Sequence, residues 1–155
     1  MRAELWHPLI VHWPIVALLL GTVFSIAGFF IKAKGWRYTI SALLTIGVVG
    51  AWAAYITGEW ADGEVARNLC DPTVLKAHEN AAFTCNIFFT IGTCLHLLNY
   101  FNLVFLPPKL VDIVVVISLS IGSYFLYKTG HLGAELVYEQ AAGVNVPSES
   151  CSEFE

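Results

Sequence analysis

The chain has 155 residues, of which 57% are hydrophobic and only 13% charged, with a mean hydropathy of +0.66. That balance excludes an ordinary soluble domain and points to an integral membrane protein. The net charge is −4 with no basic run behind it, which argues against nucleic acid as a partner.

The first predicted span covers residues 8–31, an apolar run broken by His12 and a few small residues and long enough to cross a bilayer as a helix. It is too long for a secretory signal, and no small-x-small cleavage site follows it. Its mouth is His7-Pro8-Leu9-Ile10-Val11-His12-Trp13-Pro14. Pro8 suits the first helical position, and Pro14 removes a helical hydrogen bond, so a bent entry turn is expected. His12 falls just inside the apolar boundary, where an ionisable group is by default a functional candidate.

Lys32, Lys34 and Arg37 separate this span from a second, from about Trp36 to Gly58. Gly47, Gly50, Ala51, Ala54 and Gly58 recur along one side of it, a pattern that serves close helix packing or leaves space for a flat cofactor. A polar loop from Glu59 to Asp71 is expected next. Asp71-Pro72 then reads as a cap residue and a first-turn proline opening helix three, which runs to about Phe101. His78 lies in its first turns, near the same membrane face as His12.

Asn99, Asn102, Pro107, Pro108 and Lys109 mark the following turn, and residues 110–127 form a fourth span with Asp112 near its start. Thr129-Gly130-His131 is expected to close that helix, with Gly130 in the left-handed conformation. The segment His131–Tyr138 then reads as a short amphipathic surface helix. The predicted architecture is therefore all-α: a four-helix transmembrane bundle over residues 1–142 and a flexible acidic tail over 143–155.

The basic residues Lys32, Lys34, Arg37 and Lys109 gather at one end of the spans, whereas the opposite loop and tail are acidic. The positive-inside rule places both termini outside the cytoplasmic membrane of a bacterium, and the histidine-rich face with them. Cys70 and Cys151 share that outer side and are candidates for a disulfide. Cys85 and Cys94, nine residues apart on helix three, point different ways and read as buried thiols.

His7, His12, His78 and His131 thus converge on one end of the bundle, while His96 lies near the other face without a histidine partner and reads as structural. A di-iron site lacks its Glu-x-x-His pairs, and copper(I) lacks sulfur ligands. An all-histidine zinc site remains open. Haem fits an apolar bundle with opposed imidazoles better. His12 and His78 are the first-choice axial pair, over the shallow wall of Ala81, Ala82 and Cys85. His7 and His131 form a second pair, for one or two haem b groups in all. Glu59, Glu79 and Asn80 are the expected hydrogen-bond partners of the imidazoles. No C-x-x-C-H motif for covalent haem attachment occurs.

The motifs His-Pro-Leu-Ile-Val-His-Trp-Pro-Ile at 7–15, His78 followed by Asn80, and Gly-His-Leu-Gly-Ala-Glu-Leu-Val-Tyr at 130–138 resemble the bacterial membrane family called domain of unknown function 2231. The resemblance covers nearly the whole chain, and the family's recurrent histidines match His7, His12, His78 and His131. Trp13 and Ala134 depart from the usual phenylalanine and glycine. The resemblance implies a four-span protein in a redox setting, beside cytochrome c or Rieske-type modules and other membrane subunits. The resulting expectation is a b-type haem electron-transfer subunit rather than a substrate-transforming enzyme. The alternative is a structural membrane anchor of a redox complex, metal-free or binding zinc.

Overall fold

A computed structural model describes residues 5–31, 33 and 35–144. It contains four α-helices: α1 (Trp6–Ala27), α2 (Trp36–Val65), α3 (Pro72–Tyr100) and α4 (Pro108–Tyr138), with a 3-10 turn at Ala66–Asn68. All four are long and apolar enough to cross a membrane, with mean hydropathies between 1.6 and 2.1. The chain is therefore an all-helical membrane protein, and no strand occurs among the described residues. Neighbouring helices pack α1 on α2, α2 on α3, α3 on α4 and α4 on α1, which leaves α1 diagonal to α3.

Lipid tails are as apolar as leucine, so close packing and buried hydrogen bonds must hold the bundle together. Both are present. Leu18, Leu44, Phe89, Val115 and Leu119 are fully buried at its centre. Glycines let them approach the facing helix: a Cβ on Gly47 would meet Leu18 at 2.7 Å, and one on Gly92 would meet Leu119 at 2.8 Å. Between helices, Trp52 Nε1 donates to Thr90 Oγ1 at 3.0 Å, Asn86 Nδ2 to the Ala51 carbonyl at 3.2 Å, and Ser118 Oγ to the Phe88 carbonyl at 2.8 Å.

Several element ends differ from the sequence expectation. Pro8 is the third helical residue rather than the first, because α1 begins at Trp6, and Pro14 is buried within the helix. The polar stretch after Gly58 does not open a loop, since α2 continues to Val65. Most strongly, α4 does not close at Gly130. It runs unbroken through His131 to Tyr138, so the expected surface helix is its final two turns. Gly130 does not adopt a positive φ; among the described glycines only Gly35 and Gly143 do. The cause is tertiary, because Leu136 is buried at 5% exposure and draws the last turns back onto the bundle.

The start of α3 follows the expectation: Asp71 is its N-cap, accepting from the Thr73 backbone N–H at 2.9 Å, with Pro72 in the first turn. At its far end Asn102 takes φ 57°, a left-handed conformation that asparagine tolerates, and the Leu103 N–H donates to the Leu98 carbonyl at 2.9 Å. Cys85 is buried but Cys94 is exposed, because nine residues turn a helix by half a revolution. Cys70 is exposed, and its expected partner Cys151 lies outside the described residues, as does the tail from residue 145.

Candidate functional site

At the end of the bundle formed by the chain entering α1, the end of α2, the start of α3 and the end of α4, two adjoining cavities of about 280 and 150 Å³ meet. Both are lined by His7, Pro8, Tyr55, His78, Ala82, Gly133 and Val137. The larger one continues inward along Val11, Pro14, Leu18, Ala51, Ala54 and Cys85, an apolar floor. The smaller one carries the acids Glu59, Asp62 and Glu79 at its rim. Glu79 is held there by Lys76, whose Nζ lies 2.8 Å from the carboxylate.

His7 is brought to this cavity by helical phase. Val11, Pro14 and Leu18 stand four, seven and eleven residues further on, so they share its face of α1. His12 is five residues away, about 140° around the helix. It is exposed and does not line the cavity. On α3 the face of His78 holds Ala82 and Cys85, as the shallow-wall expectation had it, whereas Ala81 is buried elsewhere. His131 is exposed on α4 with its ring parallel to Tyr127, the centroids 6.4 Å apart, and it also stands outside the cavity.

The structure therefore brings together one member of each expected pair, His7 and His78. Their ring centroids are 6.2 Å apart and their planes are inclined by 84°. Each Nδ1 lies on a backbone carbonyl: His7 Nδ1 is 2.8 Å from the Ala54 oxygen and His78 Nδ1 is 3.0 Å from the Thr129 oxygen. A carbonyl only accepts, so both Nδ1 atoms carry the proton and both Nε2 atoms hold the lone pair. These carbonyls take the place of Glu59, Glu79 and Asn80, the partners expected from sequence.

Two glycines let the rings sit where they do. A Cβ on Gly58 would be 3.2 Å from His7 Nδ1, and one on Gly133 would be 3.2 Å from His78 Cε1. On the small-residue face of α2, Gly47 and Gly58 admit neighbouring side chains, and Ala51 and Ala54 line the larger cavity. Tyr55 and Gly133 were not singled out from sequence. For Gly133 the available signal was its spacing from Leu136 and Val137 on one helical side, hidden by the expectation that α4 had already ended.

Paired imidazoles with fixed Nδ1 protons and open Nε2 lone pairs are the arrangement that metal-ligating histidines show, the second nitrogen being tied to a carbonyl. No group of three or more His, Cys, Asp or Glu side chains able to hold a metal ion occurs among the described residues. His96 lies at the opposite end of the bundle, buried, with Nε2 3.0 Å from Ser41 Oγ.

A family model described as "Predicted membrane protein (DUF2231)" matches residues 5–146, in agreement with the resemblance carried by the histidine motifs. No curated protein and no solved structure matches the chain.

Proposed function

Since the chain belongs to the DUF2231 family of predicted membrane proteins, we propose that it is a b-type haem electron-transfer subunit in which His7 and His78 would hold the haem. The observation that carries this reading is the adjacent imidazole pair with both Nδ1 atoms bonded to helix carbonyls. His7 and His78 would hold the iron of such a group, each through the ring nitrogen left free by its carbonyl bond. Two protein ligands suffice for haem iron, because the macrocycle supplies the remaining four, whereas a four-coordinate zinc site needs more than this pair. Haem would contribute one-electron redox chemistry.

The chain's own residues supply the setting. The Ala54 and Thr129 carbonyls orient the two rings. Ala51, Ala54, Ala82 and Leu18 keep the floor dry, which tunes potential by excluding water. The acidic rim of Glu59 and Asp62 faces a basic partner surface and raises the rate of encounter with it. With both termini outside the cytoplasmic membrane, that partner is a periplasmic redox module of the cytochrome c or Rieske type.

The second reading, a metal-free anchor, is favoured by the same hydrogen bonds, since His7 ties α1 to α2 and His78 ties α3 to α4 without any ligand. Asparagine separates the two, because its side-chain amide can donate from near the Nδ1 position but cannot ligate through Nε2. Protein expressed with ample haem is purified and its reduced-minus-oxidised spectrum and pyridine haemochrome recorded. Haem in the wild type, its loss in His7→Asn and His78→Asn, and its retention in His12→Ala, His131→Ala and His96→Ala are expected. A folded wild type without haem under these conditions leaves the anchor reading in its place.

A further inference from the structure

The opposite end of the bundle holds a cavity of about 330 Å³ that the histidine pair does not use. Ser25, Phe29, Trp36, Arg37, Ile40, His96, Asp112 and Val116 are among the residues around it, so all four helices contribute. The large side chain Phe29 is exposed on the outside of the bundle, whereas His96 is 4% exposed. The cavity is thus a cleft that leads from the protein surface to a buried imidazole.

Its polar groups are held in fixed states. Ser41 Oγ donates its single hydrogen to the Arg37 carbonyl at 2.9 Å, so at 3.0 Å it accepts from His96 Nε2. That leaves His96 Nδ1 as a lone-pair acceptor. Asp112 Oδ1 accepts from Asn99 Nδ2 at 2.7 Å, which orients the carboxylate while Oδ2 keeps its acceptor capacity. Trp36 is a rigid wall, stacked on Phe24 at 4.7 Å and 18° with its Nε1 donating to the Phe24 carbonyl at 3.0 Å. Arg37 and Asp112 line the same space without forming an ion pair with each other.

We infer that this cleft binds the ring of a lipid-soluble quinone or quinol. Its described lining carries one cation, Arg37, and one anion, Asp112, and that carboxylate opposes a phosphate placed beside the guanidinium. It offers a donor at Arg37 and acceptors at Asp112 and His96, beside the flat ring of Trp36 and the apolar Phe29, Ile40 and Val116. A neutral ring with oxygens at both ends and an apolar tail matches each of these features: carbonyls accept from the guanidinium, and hydroxyls donate to the imidazole or carboxylate. The inference is independent of haem at the other end.

The test uses the full chain in nanodiscs, titrated with decyl-tailed benzoquinone, with tryptophan fluorescence quenching read against empty nanodiscs for partition. Saturable quenching is expected, retained in Cys94→Ser, weakened about tenfold in His96→Leu by the lost hydrogen bond, and abolished in Val116→Phe, which fills the cleft. Circular dichroism and gel filtration establish that each variant is folded. Should His96→Leu misfold through loss of its Ser41 contact, Val116→Phe decides. Quenching that never saturates, or that is unchanged in folded Val116→Phe, overturns the inference. So does native mass spectrometry showing a phospholipid that Val116→Phe expels and the quinone does not displace.

Discussion

At the scale of the residue, Gly133 and His78 show how a missing methyl positions a functional group. Alanine at 133 would remove the cost of a mid-helix glycine, about 1 kcal/mol, yet its Cβ would stand 3.2 Å from His78 Cε1. Gly133→Ala should therefore melt no lower than wild type, and on the proposed haem reading it should shift the haem spectrum, while Gly133→Leu should lose most of the bound haem, since the cavity has no room for the branch. Equal spectra for all three would detach Gly133 from the site. Asp71 makes a second prediction. Hydrogen bonds from the Thr73 hydroxyl and backbone N–H hold its carboxyl below the ordinary value of 3.8. A folded-state value below the unfolded one means the stabilisation is fully present above the unfolded value and is lost as pH falls through the folded one. Amide exchange in the first turn of α3 should accordingly quicken as pH drops below about 4, once corrected for intrinsic exchange, and Asp71→Asn should flatten that dependence.

At the scale of the element, the four spans were legible from hydropathy because burial in lipid and burial in protein demand the same apolar composition. What composition could not show was phase. His7 and His12 lie on one helix five residues apart, and the stripe Val11, Pro14, Leu18 selects the first over the second. That stripe is itself legible, but both faces of α1 are apolar, so nothing in the sequence marks which one meets protein. The end of α4 was misread for a different reason: a glycine is a stop signal only where no packing lies beyond it, and Leu136 supplies that packing. Amide exchange should show continuous protection from Thr129 through Leu136, and Leu136→Ala should fray the turns after Gly130 while leaving the membrane-embedded part protected. A break at Gly130 in the wild type would restore the separate surface helix. Just beyond, Ala141 holds φ 54°, a conformation that disfavours a side chain by about 1–2 kcal/mol. Ala141→Gly should raise the melting temperature.

At the scale of the whole molecule, charge asymmetry and helix count together predict a topology with the Gly35 end inside and the Gly143 end outside. A periplasm-dependent reporter should be active when fused after residue 143 and silent when fused after residue 35; the reverse pattern would turn the bundle over and put the histidine pair on the cytoplasmic side. The histidine hydrogen bonds carry another consequence. The bond from His7 closes within the α1–α2 hairpin and the one from His78 within the α3–α4 hairpin, so each ring is oriented by its own half before the halves meet. The connection between them, after the turn at Ala66–Asn68, need only keep the halves near each other. Two co-expressed fragments, cut between Asn68 and Cys70, should therefore find one another in the bilayer and complement, in the manner of a protein that evolution could have encoded as two genes.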